Sequence, residues 1–134
     1  MLTCSVETLE RSLEAVMEAG KDITPFFYDR FFALYPEQRA NFYHFESTSG
    51  TMVNEMITSV LALASNEAWL TNSVQNFVAA HRSYGDIPPD AYARLLDVLV
   101  DTLAQVAGSR WTDEFETAWR WYVSGMKALI AEHV

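Results

Sequence analysis

Cysteine is nearly absent from this chain: Cys4 is the only one among 134 residues. An intrachain disulfide is therefore excluded, and so is a thiolate zinc cluster, which needs several sulfurs. A reducing cytoplasm suits such a chain. Basic residues are scarce as well. Nine lysines and arginines face 18 aspartates and glutamates, a formal net charge of −9, and the basic residues are scattered singly with no basic stripe. Such a surface cannot clamp a phosphate backbone, and an anionic membrane repels it, so neither nucleic acid nor membrane is an expected partner. Long apolar runs are missing too. The N-terminal stretch, with Glu7, Glu10, Glu14 and Glu18 at helical spacing, reads as an amphipathic helix rather than a leader or a membrane span. The expectation is a soluble, unexported, cytoplasmic protein. Runs of alternating polarity bounded by hairpin turns are also lacking, which leaves no strand candidate, and no repeat or low-complexity tract occurs.

What remains is helix-forming sequence. Half of the residues are apolar, and the length suffices to bury a substantial core, so residues 1–134 are expected to form one all-α domain. Ser5 caps a first helix with the stripe Val6, Leu9, Leu13, Val16 and Met17, stopped at Gly20. Thr24-Pro25 restarts helix, with Thr24 as cap, through Tyr35; Pro36 breaks it and opens a short turn reaching Phe42. Tyr43 to Gly50 is polar and reads as a loop. From Thr51, the residues Met52, Val53, Met56, Ile57, Val60, Leu61 and Ala64 recur at three and four, until Ser65-Asn66 ends the pattern. Thr71 to Tyr84 is the next helix, with Val74, Phe77, Val78 and His81 on one side and Gly85 as its end. Pro88-Pro89 opens a long helix through Leu103, closed by Gly108. A last one starts at Thr112 and carries Phe115, Trp119, Tyr122, Val123, Met126, Leu129 and Ile130.

His81 carries the most chemical information. A neutral imidazole in the last turn of an otherwise apolar helical face can point one nitrogen at a metal centre. A satisfied core histidine would produce the same local pattern.

The stretch Thr24-Pro25-Phe26-Phe27-Tyr28-Asp29-Arg30-Phe31-Phe32, continuing through Tyr35-Pro36-Glu37 to Phe42, resembles the second and third helices of a globin. His81 followed by Pro88-Pro89-Asp90-Ala91-Tyr92 resembles the proximal segment and the start of the seventh helix, and similarity continues through Ala118-Trp119. The chain is thus similar to bacterial single-domain globins and to the haem domain of flavohaemoglobins. That resemblance implies a globin fold of about six to eight helices around one haem b. It implies His81 as the proximal iron ligand, its second ring nitrogen donating a hydrogen bond that orients it. Phe42 matches the phenylalanine packed on the porphyrin, with an ordinary core aromatic as the alternative. Tyr28 matches the distal tyrosine whose hydroxyl can donate to a gas ligand; the alternative is a helix tyrosine with its hydroxyl at the surface. Phe77 belongs to the same pocket, and Arg82 either reaches a propionate or is a solvated charge.

The sequence departs from the family's pattern on both sides of that pocket. Ten residues beyond Phe42 stands Met52, where a histidine or glutamine usually faces the ligand, with Met56 one turn further; neither donates a hydrogen bond. Both methionines are core residues in the simplest reading, and a thioether sixth ligand is the other. His44, in the expected loop, either turns toward the haem edge or is solvated. Tyr92 matches the tyrosine that supports the proximal histidine in flavohaemoglobin-type globins, after one extra residue in the loop. Glu132 lies two residues out of register with the partner glutamate, about 200° around a helix, and is not assigned that role.

The resemblance implies reversible binding of dioxygen, carbon monoxide or nitric oxide, as in oxygen binding, storage or transport. An enzymatic alternative is nitric oxide dioxygenase served by a separate reductase, since no Gly-rich dinucleotide fingerprint occurs in these residues. The third alternative is a haem-free helical sensor or interaction module. Trp111, Trp119 and Trp121 are expected in the core, with a dimer face as the alternative.

Overall fold

The computed structural model describes residues 5–41, 45–81 and 89–134. Phe42, His44, Arg82, Gly85 and Pro88, singled out above, lie outside the described residues. Six α-helices succeed one another: α1 (Val6–Glu18), α2 (Ile23–Leu34), α3 (Phe45–Ala64), α4 (Leu70–His81), α5 (Pro89–Ala107) and α6 (Asp113–Ala131). Short 3-10 helices occupy Pro36–Asn41 and Gly108–Arg110, and there is no strand among the described residues. No helix among them is long and apolar enough to cross a membrane.

Local chemistry explains most of the boundaries. The Ser5 hydroxyl accepts from the Thr8 N–H at 3.3 Å, and that of Thr112 accepts from the Phe115 N–H at 3.1 Å, each satisfying a donor that the first helical turn leaves open. Gly20 and Gly108 adopt φ of 71° and 59°, the left-handed conformation in which a helix end can turn away without a Cβ clash. Two boundaries differ from expectation. The cap of α2 is Asp22 rather than Thr24: its carboxylate accepts from the Thr24 N–H at 3.0 Å, and an anion at a helix start also meets the positive end of the dipole. The expected loop from Tyr43 to Gly50 is helical from Phe45 onward, so α3 begins six residues before Thr51.

The α5–α6 pair is the spine, with α1 and α2 packed on α5 and with α3 and α4 packed on α6. Trp119, Phe27, Leu9, Leu99 and Leu103 are completely buried where these helices meet. Burying an indole obliges its N–H to find a partner; here it donates to the Ser12 hydroxyl at 2.7 Å, and that hydroxyl donates in turn to the Leu9 carbonyl. Gly125 sets a second close approach. A Cβ there would meet Leu63 Cδ2 at 3.0 Å, so a larger residue at this point would require the Leu63 side chain to shift. Trp111 is half-buried, its N–H donating to Glu116 at 3.0 Å. Trp121, expected in the core, is 66% exposed; it lies about 200° around the helix from Trp119 and faces solvent.

Outside the core, Arg120 bridges Glu116 at 2.8 Å and Asp101 at 2.6 Å, and Lys127 reaches Asp97 at 2.8 Å. These partners are substantially solvated, so the network sets the α5–α6 register more than it stabilises the fold. The buried Ser12–Trp119 contact is different in kind. Ser12→Ala should lower stability by about 1–3 kcal/mol, because it strands a buried donor, whereas Ser59→Ala, whose hydroxyl bonds an exposed carbonyl of its own helix, should stay within about 0.5 kcal/mol. Urea unfolding followed by circular dichroism separates the two; equal losses would show that the indole N–H does not depend on Ser12.

Candidate functional site

Helices α3 and α4 are consecutive in sequence but do not close on each other. Their separation leaves a cavity of about 610 Å³, within the range of roughly 300–1,000 Å³ typical of ligand and cofactor pockets. Its floor is apolar: Leu96 from α5 and Met126 and Ile130 from α6. Its α4 wall carries Val74, Phe77 and His81, and its α3 wall carries Met56. Toward the mouth both helices turn polar, with Thr51, Asn54, Glu55 and Thr58 on one side and Ser73 and Asn76 on the other. The mouth is therefore more polar than the aromatic and aliphatic lining that a haem pocket needs.

His81 ends α4 with its imidazole partly buried. Its Nδ1 lies 2.7 Å from the Phe77 carbonyl oxygen one turn earlier. A carbonyl can only accept, so in the neutral ring the proton sits on Nδ1 and the lone pair on Nε2, the form in which imidazole ligates a metal. The Phe77 ring lies 4.0 Å from the imidazole between centroids, and Tyr92 of α5 meets both rings edge-on at 6.0 and 6.1 Å. Loss of solvent pulls the His81 pKa below its ordinary 6.5, while the Phe77 carbonyl and the negative charge of Glu55 oppose that shift. Burial prevails, and the imidazole is biased toward the neutral form.

The residues proposed from sequence fall into three groups. His81, Phe77 and Met56 share the cavity wall, and Tyr92 stands behind His81. Tyr28 and Met52 do not line it. Tyr28 is 2% exposed, which removes the surface-hydroxyl alternative; its ring packs against Phe27 at 5.0 Å and Phe32 at 5.6 Å. Burial raises its pKa well above the usual phenol value, so the hydroxyl keeps its proton and remains a donor. Met52 is half-buried against the core. Phe42 and Arg82 lie outside the described residues. The sequence reading missed Glu55, Asn54 and Trp69, the last 46% exposed at the cavity mouth. A polar row at Thr51, Glu55 and Thr58 has the i, i+4, i+7 spacing of one helix face, but that pattern also describes an ordinary solvated face.

The architecture and the site define an α-helical protein with a pocket between two neighbouring helices and one histidine aimed into it. A family model for globins matches residues 25–130, and the chain belongs to the globin family. It is 26% identical over 117 residues to the Flavohemoprotein of Vibrio cholerae serotype O1, an alignment covering 85% of this chain and 29% of that protein. The chain thus spans less than a third of that relative's length. No solved structure gives a significant match.

Membership in this family implies haem binding, and the residues present fit that group. His81 offers a single neutral nitrogen donor beside apolar cavity walls, the donor that haem iron takes from a protein when the porphyrin supplies the rest. The apolar floor suits the inner part of the macrocycle.

The depressed His81 pKa fixes a direction for stability. Between the folded value and 6.5 the unfolded chain binds more protons than the folded one, so stability rises with pH across that window, and the imidazole's penalty is absent above it. In the haem-free protein, an NMR titration should place the His81 midpoint below 6.5, and His81→Gln should flatten the loss of stability on acidification. A midpoint at or above the ordinary value would mean that burial does not dominate.

Proposed function

We propose that this chain is a gas-binding haem protein, with His81 as the protein ligand to the iron of haem b. The observation that carries the reading is the 2.7 Å bond between His81 Nδ1 and the Phe77 carbonyl inside a haem-sized cavity, because it fixes both the tautomer and the orientation that ligation requires. When bound, haem iron supplies the reversible coordination of dioxygen, carbon monoxide or nitric oxide. Phe77 and Tyr92 limit rotation of the imidazole from two sides. Met56, Val74 and Leu96 keep water from the inner part of the cavity, which favours retention of ferrous iron. The resemblance offers Tyr28 as a donor to the gas, but Tyr28 is buried in the aromatic layer of α2 and does not line this cavity, so that role is not assigned to it. The acidic surface makes nucleic acid and anionic membranes unfavourable partners.

Similarity to a flavohemoprotein supports a second reading, nitric oxide dioxygenation sustained by a separate reductase. Continuous consumption of nitric oxide with a reductase present would favour it; oxidation limited to one equivalent would not.

Reconstitution with haem tests the main reading. Wild type should take up one equivalent and show a Soret band that shifts when the ferrous form meets carbon monoxide. His81→Ala, with helix content checked by circular dichroism, should lose tight uptake or change its ferrous spectrum. No stoichiometric uptake by wild type, or spectra indifferent to removal of His81, would favour a haem-free helical module.

A further inference from the structure

We propose that Glu55 is a specificity-determining residue of this pocket, a carboxylate on the α3 wall that disfavours anionic ligands of the iron relative to neutral diatomic gases. The inference rests on the haem-binding reading above. Glu55 is the one acidic or basic side chain other than His81 among the described residues that line the cavity. Among the described residues its carboxylate forms no ion pair; the contact between Ser59 Oγ and Glu55 uses the backbone carbonyl, not the side chain.

Position gives the charge its meaning. His81 stands on the α4 wall of the cavity and Glu55 and Met56 on its α3 wall, so a ligand entering this space toward a metal held by His81 would pass Glu55. Glu55 and His81 line one cavity from different helices, so the carboxylate lies beside the space in front of the imidazole. An azide or cyanide ion entering the same space meets like-charge repulsion, whereas carbon monoxide, which has no net charge, does not. Glu55 is exposed, so solvent screens part of the effect, and a change of about three- to tenfold is the scale expected of a partly screened charge at such range. The flanking Thr51, Asn54 and Thr58 are uncharged and offer no cation to offset it.

The test uses the full chain reconstituted with haem, as wild type, Glu55→Gln and Glu55→Lys. Azide affinity is measured on the ferric form and carbon monoxide affinity on the ferrous form, with imidazole as a neutral ferric ligand. The expected result is that azide affinity, taken relative to carbon monoxide and to imidazole, rises about three- to tenfold in Glu55→Gln and further in Glu55→Lys. Should one variant fail to fold, the other still reads the sign of the effect. Haem uptake with azide ratios unchanged in the variants overturns this inference alone. Failure of wild type to take up haem overturns both it and the function proposed above.

Discussion

The cavity depends on α3 and α4 being held apart by the α5–α6 pair beneath them. The connection between α3 and α4 is short, Ser65 to Trp69, and Asn66 turns the chain at φ 54°, so the two helices would be free to collapse together if their apolar faces met. They do not meet, because those faces are spent elsewhere. Val53, Val60 and Ala62 of α3 and Leu70, Val74 and Val78 of α4 are buried in the common core. Gly125 lets α6 approach α3 at Leu63, and Met126 and Ile130 fill the base of the wedge. The pocket is thus a consequence of three-body packing, since no two of these helices alone would leave that volume open.

That origin explains how much of the molecule could be read in advance. A helix betrays itself through its own stripe and caps, which are local properties, so α1, α5 and α6 are evident in the spacing of Leu9, Val16, Leu99, Leu103, Trp119 and Val123 and in Ser5 and Thr112. Helix starts fail where two capping residues compete, as Asp22 and Thr24 do. They fail again where weak helix formers such as Ser47, Thr48, Ser49 and Gly50 precede a strong stripe and are carried into helix by the apolar residues from Met52 to Leu61. Trp121 shows a different error. Its phase relative to Trp119 places it outside, and periodicity is a better guide to burial than the size of an aromatic ring.

The functional residues divide in the same way. The place of His81 on the cavity wall was legible because a polar group interrupts an apolar face, and the Phe77 carbonyl that holds its Nδ1 is the backbone one turn earlier. Glu55 was not legible: a polar row on a helix says nothing about whether solvent or a pocket lies beyond it. Only the arrangement of α4 across from α3 distinguishes the two. Leu96, Met126 and Ile130 were visible as core residues but not as the floor of a site, since any interior residue can come to border a cavity once neighbouring helices diverge.

Two opposing influences then meet at the imidazole. Removal from water favours the neutral ring, while the Phe77 carbonyl and the Glu55 charge favour the protonated one. An imidazole must be neutral to bind a metal, so burial favours the ligation proposed for His81 and Glu55 opposes it. A carboxylate in that position would therefore be a plain disadvantage if its only effect were on His81. On the proposal above, the same charge on the α3 wall would favour neutral gases over anions. One charge would then both weaken the preparation of the imidazole and narrow the choice of what reaches a metal held by it.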